Sequence, residues 1–61
     1  MKTFIYNFNG DIYETNTAFD ATYRAKMAEA KANGETVTRQ VIDGNKVVNE
    51  YYHPAGIWMA E

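Results

Sequence analysis

Residues 2–15 read KTFIYNFNGDIYET, and the fold is decided there. From Lys2 to Phe8 the side chains alternate. Phe4, Tyr6 and Phe8 take one side and Thr3, Ile5 and Asn7 the other, the period of a β-strand. Asn9-Gly10 then interrupts the pattern. Asn-Gly between two strand patterns is the strongest short hairpin signal, because a type I′ turn needs positive φ at both central residues. A two-residue turn there pairs Phe8 with Asp11, Tyr6 with Tyr13 and Phe4 with Thr15. One face then holds Phe4, Tyr6, Phe8 and Tyr13, and the other Ile5, Asn7, Ile12 and Glu14. The aromatic face is the expected core.

Downstream, Thr17 is a suitable N-cap, with Asp20 three residues on to complete a box-like cap. A helix is predicted over 18–33, with Gly34 as a left-handed stop. Phe19, Tyr23, Met27 and Ala30 recur at helical spacing and should cover the aromatic face. Residues 35–42 and 46–53 read as two further strands. A Gly44-Asn45 turn sets Arg39 opposite Glu50 and Val41 opposite Val48, which are favourable cross-strand pairs. An Asp43-Gly44 turn or a three-residue loop with a bulge would change the register, and pair chemistry favours the first. Pro54 ends the last strand, since it has no N–H for the ladder. Residues 54–61 are then a short C-terminal tail with apolar Ile57, Trp58 and Met59.

The expected fold class is therefore α+β, a ββαββ arrangement. Two β-hairpins form one four-stranded sheet with a single helix packed across one face, all within one domain over residues 1–61. Its core should comprise Phe4, Tyr6, Phe8, Tyr13, Phe19, Tyr23, Met27, Ala30, Val37 and Val41. In element order this is similar to the small immunoglobulin-binding domains of bacterial surface proteins. The resemblance is one of topology alone and carries no activity with it.

The chain has 61 residues and a net charge of -2, from 6 basic and 8 acidic side chains. A chain this short supports one domain with a marginal core. It has no Cys, which excludes disulfides, thiolate metal sites and thiol nucleophiles. It also has no Ser and a single His, His53, so no catalytic triad can be assembled. At a strand end before Pro54, His53 reads as structural rather than catalytic. Glu14 and Glu50 lie on different hairpins, and nothing in their spacing pairs them as acid and base. The glycines fall at turns or at a helix stop and form no phosphate-binding loop. The reading is a non-enzyme without cofactor or metal. The cations are scattered from Lys2 to Lys46, so nucleic acid is disfavoured as a partner. No apolar run approaches the roughly 20 residues that span a bilayer. Met1 and the lack of a signal peptide read as a complete small cytoplasmic protein, of a size and charge also met among phage and mobile-element products.

What remains is surface. The leading expectation is a small acidic, non-catalytic protein-interaction module of adaptor or inhibitor type. Its candidate contacts are a strand edge, the helix stripe Ala21, Ala25, Ala28 and Ala32, and the tail with Ile57 and Trp58. Trp58 has two readings, a partner contact or a lid that closes the core. The alternatives are a nucleic-acid-associated protein that stacks bases on Tyr6, Tyr13, Tyr51 and Tyr52, and a structural homodimer built on the Ala stripe.

Overall fold

A computed structural model describes residues 2–17 and 20–61. It contains β1 (Lys2–Phe8), β2 (Asp11–Thr15), α1 (Ala21–Ala32), β3 (Val37–Asp43), β4 (Lys46–His53) and β5 (Ile57–Ala60). The protein is α+β, with one helix and a five-stranded sheet in the order β2-β1-β3-β4-β5, every ladder antiparallel.

The first hairpin closes as the sequence predicts. Asn9 and Gly10 both take positive φ, 54° and 101°, and Tyr6 pairs with Tyr13. Asn tolerates that region better than other side chains, and Gly enters it without penalty. The second hairpin takes the Gly44-Asn45 register, with Arg39 opposite Glu50 and Val41 opposite Val48. The strand count departs from expectation. Residues 54–61 are not a tail, because Ile57–Ala60 is a fifth strand paired with Glu50–His53 of β4. Pro54-Ala55-Gly56 makes the turn, with Gly56 at φ 93° and its N–H donating to the His53 carbonyl at 2.9 Å. Pro54 therefore starts a three-residue hairpin loop rather than ending the sheet. The likeness in element order to immunoglobulin-binding domains stops short of β5.

The helix starts three residues later than predicted. Its N-cap is Asp20, not Thr17. Asp20 accepts from the Tyr23 backbone N–H (2.6 Å), the Thr15 hydroxyl (2.6 Å) and the Tyr13 hydroxyl (2.9 Å). Hydrogen bonding by Thr15 first, then by Tyr23 and Tyr13, holds the Asp20 carboxyl below its ordinary pKa. One carboxylate thus caps α1 and ties it to β2. Thr17 instead donates its backbone N–H to the Thr15 hydroxyl. The helix ends in a Schellman arrangement, Glu35 N–H to Ala30 carbonyl and Gly34 N–H to Lys31 carbonyl.

The helix links β2 to β3, which flank β1 on either side. It lies on the face of Phe4, Tyr6 and Phe8. Those residues are buried with Tyr23, Met27, Ala30 and Val37, and Tyr13, Val41, Tyr52 and Trp58 pack around them. Tyr13 and Val41 are half-buried members of the predicted core, and Phe19 lies outside the described residues. The Lys26 ammonium meets Asp11 at 2.7 Å on one flank, and this pairing raises its pKa. On the other flank Lys31 stands 5.0 Å over the Tyr52 ring.

Candidate protein-contact surfaces

Alternation along the strands, combined with the register, sorts every strand side chain onto one of two faces. Lys2, Asp11, Arg39, Asp43, Lys46 and Glu50 all share the helix side with the aromatic core. The opposite face carries Thr3, Ile5, Asn7, Ile12, Glu14, Thr38, Gln40, Ile42, Val47, Asn49, Tyr51, His53, Ile57 and Met59. Among the described residues no helix covers it. Glu14, at its β2 margin, is the one Asp, Glu, Lys or Arg that the strands place there. Ile12, Val47 and Ile57 are each more than half exposed. A shallow hollow of about 260 Å³ near its middle is lined by Ile5, Asn7, Ile12, Thr38, Gln40 and Asn49, together with Arg39 and Glu61.

Solvated faces of antiparallel sheets ordinarily carry polar and charged residues. Here all the strand charges but Glu14 are on the other side. Arg39 and Glu50 form an ion pair there at 2.7 Å, with the guanidinium 4.1 Å from the Trp58 ring centroid. The face turned away from the helix is left without a strand cation and apolar in part.

The predicted site residues fall on three surfaces. Trp58 is half-buried, packing against Tyr52 at 5.2 Å and Tyr6 at 5.9 Å between ring centroids. It closes the core beneath Arg39. Ile57 is exposed on the open face, where Tyr51 also lies, its hydroxyl donating to the Met59 sulfur at 3.7 Å. Tyr52 lies on the helix side. Ala21, Ala25, Ala28 and Ala32 are all exposed on the outer surface of α1. Tyr6, Tyr13, Tyr51 and Tyr52 do not form one platform. Tyr6 is fully buried, Tyr13 is bonded to Asp20, and Tyr51 and Tyr52 point to opposite faces.

The groups with catalytic potential are also dispersed. His53 Nδ1 accepts from the Ala55 N–H at 3.0 Å, so His53 shapes the last turn. Glu14 and Glu50 are on opposite faces. Among the described residues no group of three or more His, Asp or Glu side chains is placed to hold a metal ion. A hollow of about 410 Å³ lies between the helix end and the last turn. Its charged residues, Lys31 and Glu35, are of opposite sign. No described helix is long and apolar enough to cross a membrane.

The residues missed from sequence are Ile42, Val47 and Met59, together with the surface role of Ile5 and Ile12. A signal for them exists: Ile5 and Ile12 are large and apolar on the face that the aromatic pattern assigns away from the core. Comparison of the chain with models of protein families, with curated proteins and with solved structures returned no match.

Proposed function

We propose that this chain is a small acidic, non-catalytic protein-interaction module of adaptor or inhibitor type, and that it meets its partner through the open face of the sheet. The observation that carries the reading is the segregation of charge. A five-stranded sheet keeps its strand cations and most of its strand carboxylates on the helix side and leaves bare a partly apolar face without a cation, with Glu14 and Glu61 at its margins. Depletion of charge is the compositional mark of an interface centre. At about 4.8 Å per strand the face is about 24 Å wide, a scale suited to contacts of about 800 Å² per partner. Neutral amides at Asn7, Gln40 and Asn49 supply directional hydrogen bonds within it.

The test is capture from a lysate of the source cell with three baits: the natural chain, Ile12→Lys/Val47→Lys, and Ala25→Glu. All three substituted positions are exposed, so each variant should keep its stability to within about 0.5 kcal/mol. The partner retained by the natural chain should fall at least about tenfold for the double lysine variant and stay unchanged for Ala25→Glu. Loss with Ala25→Glu alone would place the contact on the helix instead.

A further inference from the structure

A five-stranded sheet has two edges, and in this molecule they differ. The β2 edge carries Asp11 and Glu14, and Asp11 is engaged by Lys26. Charged side chains on a short edge strand discourage another strand from pairing with it. The β5 edge, Ile57–Ala60, carries no charge and no Pro. Its two large exposed side chains, Ile57 and Met59, are apolar, 55% and 39% exposed.

The hydrogen-bond phase of β5 can be worked out. The Glu61 N–H donates to the Asn49 carbonyl at 3.0 Å, one position beyond the Glu50–Ala60 pair. Antiparallel ladders alternate between bonded and non-bonded pairs. Tyr51–Met59 and His53–Ile57 are therefore bonded pairs, while Glu50–Ala60 and Tyr52–Trp58 are not. The main-chain N–H and C=O groups of Trp58 and Ala60 point out of the sheet, unpaired by β4. They form a template for one more strand.

We infer that this template takes the same strand from a second copy of the chain, antiparallel about a two-fold axis at Met59. This goes beyond the open-face reading: it uses the main-chain edge of β5, whose Ile57 and Met59 side chains border that face. Antiparallel pairing of a strand with itself is two-fold symmetric, so both copies use the same patch. The register centred on Met59 engages both outward residues of both copies at once. It sets Trp58 beside Ala60 of the second copy, large against small, and does so twice. About four main-chain hydrogen bonds result. Met59 meets its symmetry mate, and Ile57 lies opposite Glu61 of the second copy, so no like charges face each other. At the β2 edge the same operation would carry the charged Asp11 and Glu14 of each copy into the seam. Joining at β5 also makes the two open faces continuous.

The experiment is sedimentation equilibrium of the purified full chain from micromolar to millimolar concentration. The mass should rise from 7.0 kDa toward twice that value. Ala60→Pro removes an N–H that points away from β4, so the fold should persist while the mass stays at that of one chain. Met59→Lys and Met59→Glu should each weaken self-association at least tenfold, and mixing the two should restore it. The mixed pair also keeps the inference testable if the proline variant folds poorly. A natural chain that remains monomeric at millimolar concentration overturns the inference. So does a dimer that survives both Met59 variants, and one broken by Ala25→Glu or Ile12→Lys would be assigned to that other surface. Capture of a partner by monomeric Ala60→Pro would leave the open-face reading intact even if self-association failed.

Discussion

Replacing Tyr6 with Ala should unfold this protein, and replacing it with Phe should not. Tyr6 is fully buried at the centre of β1. Its ring centroid lies 4.5 Å from Tyr23, 5.7 Å from Phe8, 5.9 Å from Trp58 and 6.1 Å from Phe4. Truncating a buried aromatic costs about 3–5 kcal/mol. A chain of this length has about 3–9 kcal/mol in all, at 0.05–0.15 kcal/mol per residue. The loss is comparable to the whole stability, and circular dichroism should show a largely unfolded chain. The hydroxyl is a different matter. It is buried without a hydrogen bond of good geometry among the described residues, and the Arg39 guanidinium is the polar group that reaches toward it. Leaving a polar group unsatisfied costs about 1–3 kcal/mol, so Tyr6→Phe should equal or exceed the natural chain in urea. The two proteins should also diverge in alkali. Burial pushes the Tyr6 phenol above its ordinary value, and the nearby Arg39 guanidinium opposes this only in part. A raised pKa means that the folded state holds its proton longer than the unfolded chain. Stability from this source is complete below about pH 10 and declines as pH rises through the folded value. Tyr6→Phe removes that source of decline, and the other tyrosines are common to both proteins.

The second large effect belongs to Arg39. Its guanidinium carbon lies 4.1 Å from the Trp58 centroid, 5.3 Å from Phe4 and 6.0 Å from Tyr6. Its Nε donates to Glu50 Oε1 at 2.7 Å, and Nη2 lies 2.7 Å from the same oxygen. The side chains retain 16% and 21% exposure. Water therefore screens the pair in part, and the about 3–5 kcal/mol for breaking a fully buried pair is an upper bound. Arg39→Ala loses the cation–π contact and the aliphatic cover and strands Glu50, for about 2–3 kcal/mol. Trp58 is the chain's one tryptophan, and its emission should move to the red as its cover is removed. Arg39→Met/Glu50→Leu should recover the natural stability to within about 1 kcal/mol, since apolar side chains of similar volume can replace such a pair. A double variant no better than Arg39→Ala would show that the charges themselves hold β3 to β4.

These two sites mark how far the sequence could be read. The alternation around Tyr6 and the Asn9-Gly10 turn are local signals, and the observed register follows them pair by pair. The Arg39–Glu50 pairing was legible because opposite charges and matched valines selected one turn from three. Three features were not legible, each for a physical reason. A four-residue strand is too short to display alternation, and Pro54 read as a terminator although it can begin a hairpin loop. The helix start was settled by Tyr13 and Thr15, whose hydroxyls reach Asp20 only after β2 and α1 pack together. The strand order depends on where β3 enters beside β1, and no local pattern encodes that. Half of the open face, Ile5 and Ile12, is legible in the first hairpin, whereas its extension through Ile42, Val47 and Met59 follows from strand order. The sequence singles out Trp58, which packs against Tyr6 and Tyr52, and the Ala stripe, which lies exposed on α1.

The central claim is that the sheet's uncovered face is the surface by which this protein acts. Site-specific photo-cross-linking in the source cell tests it most directly, with the photoreactive residue placed in turn at Ile12, Val47 and Ala25. The account predicts one discrete protein adduct from positions 12 and 47, shared between them, and none from position 25. An adduct from position 25 alone, or none from any position, would contradict it.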